Sequence, residues 1–254
     1  MLNVLVCVKR VPETGARITL TPDEQAIDTT HLGFTISPHE ECAVEEAIRL
    51  AAQHGGATTV LTLGPAAAFE QLQNALAMGI EGAILLDTDG GDWGPEATAA
   101  AIADAVRART EPFDLLLFGN ESADNGNYQV AIRVAVALGL PCATGIKGIE
   151  ILDGTVLARR EAGGGWEIFE LPLPAVVSVR EGINLPRYPS LPGRLRAKKT
   201  EIRRLAPARR EGGLEQVRLV VPPEDGRRVE ILGDGATAAP RVVEVLRDLG
   251  LVGQ

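Results

Sequence analysis

Five short apolar runs, at residues 2–8, 58–63, 83–86, 114–118 and 175–179, are mostly separated by segments whose apolar residues recur at helical spacing. Runs of this length without polar alternation suit strands buried on both faces, the situation inside a parallel sheet. Ser37, Pro38 and Glu40 supply an N-cap, a first-turn proline and the acid of a capping box, which predicts a helix over about 38–53. Residues 66–78 place Phe69, Leu72 and Leu76 on one face, and Gly79 is positioned to stop that helix. Residues 97–107 and 129–138 complete the helical set. Strands alternating with helices require right-handed crossovers, so the prediction is one doubly wound α/β domain with a mostly parallel sheet covered on both faces.

After Gly148 the pattern changes. Ile149–Leu152 and Thr155–Ala158 flank Asp153–Gly154, a type I′ turn pair, and Trp166–Leu171 offers a third short strand, so a small antiparallel excursion is expected. Gly163, Gly164 and Gly165 read as a turn within it. Past Glu201 come Val217–Val221, a polar connection and a short helix over 240–249 that ends at Gly250. The domain is therefore expected to span residues 1–200, with 201–254 an arm too poor in apolar residues to close a core of its own.

The chain has 254 residues, 45% hydrophobic and 23% charged, which is enough to fill a core. No apolar run approaches the roughly 20 residues that cross a bilayer. The first residues enter a strand-like run without a charged leader, so a cytoplasmic protein without membrane insertion is expected. The net charge of -9 speaks against nucleic-acid binding. Cys7, Cys42 and Cys142 lie far apart and no histidines are paired, which suggests buried small side chains and neither a disulfide framework nor a metal site.

Residues 176–199 join an apolar strand to a proline-rich stretch and then to a cluster of cations. Pro186, Pro189 and Pro192 each fix φ and lack an N–H, so from Asn184 to Gly193 neither a helix nor a central strand is expected. Tyr188 and Leu191 then stand on a stiff loop flanked by Arg187, Arg194, Arg196, Lys198 and Lys199. Apolar anchors within steering charge suit a partner-docking surface over residues 182–199. The same composition also suits a crossover whose Tyr and Leu fold back onto the core.

Ligands of open α/β sheets bind at the carboxyl ends of the strands, here after Val8, Leu63 and Phe118. The last of these segments reads Gly119, Asn120, Glu121, Ser122, Ala123, Asp124, Asn125, Gly126, Asn127, Tyr128, Gln129 and leads into a helix. Its small residues allow amides to converge on an anion, phosphate above all, with the helix N-terminus adding partial positive charge. A plain polar connection with a helix cap has the same composition. His31, His39 and His54 have no partner at triad or ligand spacing, and no nucleophile elbow or Walker loop occurs, so no catalytic residue is expected. Glu45 and Glu46 are adjacent on a helix and point apart, which reads as a solvated face.

The stretch Asn184-x-Pro186-Arg187-Tyr188, then Ser190-Leu191-Pro192 and Ala197-Lys198-Lys199, resembles the recognition-loop signature of electron transfer flavoprotein beta subunits. Val8-Lys9-Arg10-Val11-Pro12, Ser37-Pro38, Ala43–Ala47 and Ala75–Gly79 occur in that family's order and spacing, so the resemblance runs through nearly the whole chain. It implies an adenine-nucleotide-hydrolase-like fold of the Rossmann type with three layers. It also implies an electron carrier, not an enzyme, that pairs with an alpha subunit holding most of the FAD. Electrons would arrive from flavin dehydrogenases, such as the acyl-CoA dehydrogenases of fatty acid beta-oxidation, and leave to a quinone oxidoreductase.

The resemblance further implies AMP bound by the loop from Gly119 to Val130, with Cys7, Leu63 and the helix start at Ser37, Pro38, His39 and Glu40 around it. Leu191 matches the leucine that family members insert into a dehydrogenase pocket, and the tail matches an arm on the alpha subunit. Gly119–Asp124 departs from the frequent Gly-Lys-Gln-Ala-Ile-Asp, and Val130 lacks a hydroxyl, so backbone contacts carry over there and side-chain bonds do not. Thr14, on the exit of the first strand, stands where some members place a flavin-facing Tyr. Two alternatives stay open: a bifurcating relative that uses NADH and holds a second FAD in the AMP pocket, and a stand-alone ATP-binding protein of the stress type.

Overall fold

Val4–Val8 is buried at every position and forms β1, the middle strand of a seven-stranded sheet. The computed structural model describes residues 1–252 apart from 14, 16, 92, 211 and 224–228. After β1 come the short pair β2 (Val11–Pro12) and β3 (Phe34–Thr35), then α1 (Pro38–His54), β4 (Thr58–Gly64), α2 (Phe69–Met78), β5 (Gly82–Asp87) and α3 (Pro95–Arg107). The second half runs β6 (Leu115–Gly119), α4 (Val130–Leu138), β7 (Cys142–Ile146), β8 (Gly148–Leu152), β9 (Thr155–Ala162), β10 (Gly165–Pro172) and β11 (Ala175–Val179). It closes with α5 (Leu191–Ala197), β12 (Ile202–Leu205) and α6 (Ala239–Asp248).

The large sheet has the order β12-β5-β4-β1-β6-β11-β7, and each pairing is parallel. Leu115 and Leu117 face the cluster under α1 and α2, while Leu116 faces the one under α3 and α4. Each of these leucines is fully buried, worth about 2 kcal/mol of apolar transfer. The chain adds strands on one side of β1 until β5 and then crosses to β6 on the other, so the topological switch lies between β1 and β6. A ligand crevice belongs at the carboxyl ends of those two strands.

The doubly wound α/β expectation is met, and so are the five strands and the four helices. The antiparallel excursion is the sheet β10-β9-β8. Asp153 and Gly154 both take positive φ, as a type I′ turn demands, and so do Gly163 and Gly164 at the next hairpin.

Other features differ from expectation. Two further strands, β7 and β12, occupy the edges of the large sheet. Ile202–Leu205, inside the segment expected to be an arm from 201, instead pairs with β5, and the described residues after Leu205 take no place in the large sheet. Leu219, in the apolar stretch 217–221, donates its N–H to Glu24 O at 2.8 Å. Among its ten residues α6 buries none. The proline-rich stretch is shorter than expected, because α5 starts at Leu191: Pro192 sits in the first turn, where a missing N–H costs nothing. Cys7 and Cys42 are buried as expected, whereas Cys142 on edge strand β7 is partly exposed.

Candidate functional site

Helix α1 begins where its capping signal places it. The Glu40 carboxyl reaches back to the Ser37 N–H at 2.9 Å and also accepts the Lys9 N–H at 2.9 Å, tying the helix start to the exit of β1. Burial pushes this carboxyl up to about 8, against the two amides, which pull it down. Gly119 at the end of β6 is required here, since a Cβ would stand 2.6 Å from Glu40 Cγ and 3.2 Å from His39 Cβ.

The loop from Gly119 to Gln129 folds over this junction. Asn120 donates its N–H to Val179 O at 2.9 Å and accepts the Ser178 hydroxyl at 3.1 Å, binding the ends of β6 and β11 together. Ser122 O accepts the Gly126 N–H, and Ala123 donates its N–H to Ser37 Oγ at 2.9 Å. Lys9 Nζ lies 2.6 Å from Asp124 and 3.2 Å from Asn125 Oδ1. Burial raises the Asp124 carboxyl, but the Lys9 ammonium, together with the Ser122 hydroxyl and the Asn125 N–H, outweighs it and leaves the group below the usual carboxylate range. Glu121 meets His39 Nε2 at 3.1 Å, and its bond to the Tyr128 hydroxyl holds that phenol up.

Gly126 and Tyr128 both take positive φ, and this turns the chain before the helix. Helix α4 consequently starts at Val130, within one residue of the expected start at 129. Its N-cap Gln129 makes no side-chain cap, being engaged with Arg133 instead, and its first turn carries no acid. An uncapped helix start facing the switch crevice is available to an anion. Cys7 lies buried on β1 beneath this region, and Leu63 lies half-buried at the end of β4 against the same cluster. Burial, and next the charge of Glu40, push the Cys7 thiol up, so it serves as an apolar filler. Pro38 is exposed at the helix start.

Segment 181–199 is anchored to the same helix. Asn184 donates to Cys42 O at 3.0 Å and to Glu46 at 2.9 Å, and Arg187 donates to both oxygens of Glu45. The solvated face expected at Glu45 and Glu46 is therefore wrong: both are buried, because a distant segment brings them their partners. Arg187 is correspondingly an anchor. Arg196 donates to Leu76 O at 3.0 Å, and Gly193 lies so close to Ala77 O that no side chain fits between them.

What stays outward is apolar. Tyr188 is 95% exposed and Leu191 72%, and with them stand Leu185 and Leu195, which sequence reasoning passed over. Leu195 had a signal, since it follows Leu191 at one helical turn once α5 is recognised. Arg194, Lys198 and Lys199 are exposed around them and form no ion pair among the described residues. Lys9 was also missed as a site residue; only its fold-dependent meeting with Asp124 reveals it. Thr14 lies outside the described residues. Among those described, no group of His, Cys, Asp and Glu could hold a metal, and no helix is long and apolar enough to cross a membrane.

Residues 26–209 match the family described as the electron transfer flavoprotein domain. A protein of Bacillus subtilis (strain 168) named electron transfer flavoprotein subunit beta is 33% identical over 253 residues, covering 97% of this chain and 98% of that one. Its namesake from Syntrophomonas wolfei is 34% identical over 251 residues, covering 97% and 96%. One from Mycobacterium tuberculosis (strain ATCC 25618 / H37Rv) is 36% identical over 208 residues, covering 80% and 78%. With the recognition signature, the sheet order and these relatives in agreement, the chain belongs to the electron transfer flavoprotein family, on its beta-subunit side.

Proposed function

We propose that this chain is the beta subunit of a heterodimer in which an alpha subunit holds most of the FAD, and that AMP occupies the loop between β6 and α4. The observation that carries the nucleotide assignment is the start of α4. It has no side-chain cap and no first-turn acid, and it lies at the switch between β1 and β6 behind a turn at Gly126. The residues present fit a nucleoside monophosphate. The first turn of α4 offers main-chain donors to the phosphate, with Gly126 turning the chain into it, and of the two loop acids Asp124 is paired with Lys9 while Glu121 is held by His39. Leu63 gives the base an apolar edge.

FAD supplies the redox chemistry when bound, and no side chain of this subunit need transfer a proton. The work of the chain is positional. It packs against the alpha subunit, with the stretch after Leu205 and its unburied α6 as the arm. It also presents Tyr188 and Leu191 amid free cations to flavin dehydrogenases, such as those acting on acyl-CoA esters, before the electrons pass to a quinone oxidoreductase. A cytoplasmic location accords with this role.

Co-expression with a candidate alpha subunit, followed by absorbance and mass analysis of the released nucleotides, tests partner and cofactors together. One FAD and one AMP per heterodimer is the expected result. Two FAD and no AMP would replace this reading by the bifurcating one, and a stable ATP-binding homodimer of this chain alone would replace it by the stress-type one. Truncation after Leu205 should leave the α/β body folded and prevent heterodimer formation; a truncated chain that still yields FAD-loaded heterodimer removes the arm assignment.

A further inference from the structure

The imidazole of His39 stands between two segments remote from it in the chain. Nδ1 accepts the N–H of Glu181 at 2.8 Å, and Nε2 lies 3.1 Å from Oε1 of Glu121. An amide donor at one nitrogen and a carboxylate at the other define the tautomer that carries its proton on Nε2, and in that form the ring holds both neighbours at once.

The two neighbours lead to different functional parts. Glu121 belongs to the loop between β6 and α4. Glu181 follows β11 and opens the docking segment, whose next fixed points are Asn184 on Cys42 O and Glu46, and Arg187 on Glu45. His39, Cys42, Glu45 and Glu46 recur at helical spacing, so one face of α1 carries the whole row. The same helix start fixes the loop a second time, through Ser37 Oγ and the Ala123 N–H. Every attachment in the row except His39 serves either the loop or the segment.

We propose that His39 is a positioning residue that couples the two, so that the seat of the docking segment depends on the conformation of the loop and the reverse. A loop that rearranges around an anionic ligand carries Glu121 with it. Moving that carboxylate turns the ring, and a turned ring no longer points Nδ1 at the Glu181 amide. The ligand class at one end is a nucleoside monophosphate and the partner class at the other is a flavin dehydrogenase. The ligand rests on the function proposed above, whereas the coupling is a property of this chain's own contacts. Coupling of this kind is reciprocal, so a nucleotide that alters docking is itself held differently in the docked complex.

The test uses the full chain in its heterodimer. Amide hydrogen exchange is measured for Glu121→Ala, which removes a side chain that does not touch the docking segment. Faster exchange at the Glu181 amide and through 181–187 is expected, with His39→Phe giving the same change at both ends. His39→Asn keeps an acceptor near the Nδ1 position and should restore protection at Glu181. His39→Gln keeps a donor near Nε2 and should restore the loop alone. Exchange in Glu121→Ala that quickens only within 119–129 overturns the coupling. The second arm is the KM for a reduced flavin dehydrogenase, with AMP bound and after its removal. A change of roughly fivefold or more is expected in the wild type and none in His39→Phe. An unchanged wild-type KM with AMP demonstrably bound also overturns the proposal. A wild type that binds no AMP removes the nucleotide reading, and the exchange arm then decides the coupling.

Discussion

The guanidinium of Arg187 meets the carboxylate of Glu45 with Nε and Nη2 each 2.8 Å from a different oxygen, and the Arg187 N–H adds a third bond at 3.2 Å. The carboxylate is buried on α1 while the guanidinium is half-exposed, so the pair pins a projecting segment to the body of the domain. Burial raises the Glu45 carboxyl, and the bonds and charge of Arg187 more than offset it, leaving the group below its ordinary value.

Arg187→Ala should destabilise the chain by about 1–2 kcal/mol, a discounted figure because solvent screens the arginine. A double-mutant cycle with Glu45→Ala should return most of that as coupling. Because the folded-state pKa is depressed, the contribution is present above the unfolded value and disappears as pH falls through the folded one. Additive single mutants would show that the pair does not hold the segment.

Leu191 and Gly193 lie two residues apart and should fail in opposite ways. Leu191→Ala removes an exposed side chain, so the melting temperature and FAD content should stay unchanged. Loss of a docking anchor costs about 2 kcal/mol of binding, roughly thirtyfold in affinity for the dehydrogenase. Gly193→Val has no room against Ala77 O and should lower stability by about 1–3 kcal/mol as α5 is displaced. Neutralising Arg194 or Lys198 should slow association in a salt-dependent way. Stopped-flow transfer rates and thermal melts separate these outcomes, and a Leu191→Ala chain that melts early but transfers normally defeats the docking assignment.

Gly126 takes φ +57 in the loop before α4. Gly126→Val should strain that turn by about 1–2 kcal/mol and move the main-chain donors proposed to hold the phosphate. AMP content after gel filtration is the measurement. Full AMP occupancy with an unaltered melt would argue against the loop as the binding site.

Glu40 makes stability depend on pH in a defined direction. Its pKa is raised from 4.5 to about 8, so in that interval the folded chain keeps a proton that the unfolded chain has released. The contribution is fully present below about 4.5 and is lost as pH rises through about 8. Wild-type melting temperatures over this range should therefore fall relative to those of Glu40→Ala, and a parallel pair of curves would contradict the shift.

Local chemistry made much of the molecule legible from residues alone. The capping signal at Ser37, the turn at Asp153–Gly154 and runs such as Leu115–Leu117 depend on dihedral preferences and short-range periodicity, and each appears in the structure where it was expected. Edge strands β7 and β12 escaped because neither carries a continuous apolar run: Arg203 and Arg204 separate Ile202 from Leu205, and Thr144 and Gly145 interrupt Cys142–Ile146. Glu45 and Glu46 looked solvated because their neighbours in sequence offer no reason to bury a charge; Arg187 and Asn184, over 130 residues away, provide it. Likewise His39 had no partner by spacing, and it acquires two only when β6 and β11 end side by side above the start of α1. Turn and helix signals are carried by a few consecutive residues, whereas charge pairing and ring contacts require segments that meet only after the sheet has assembled.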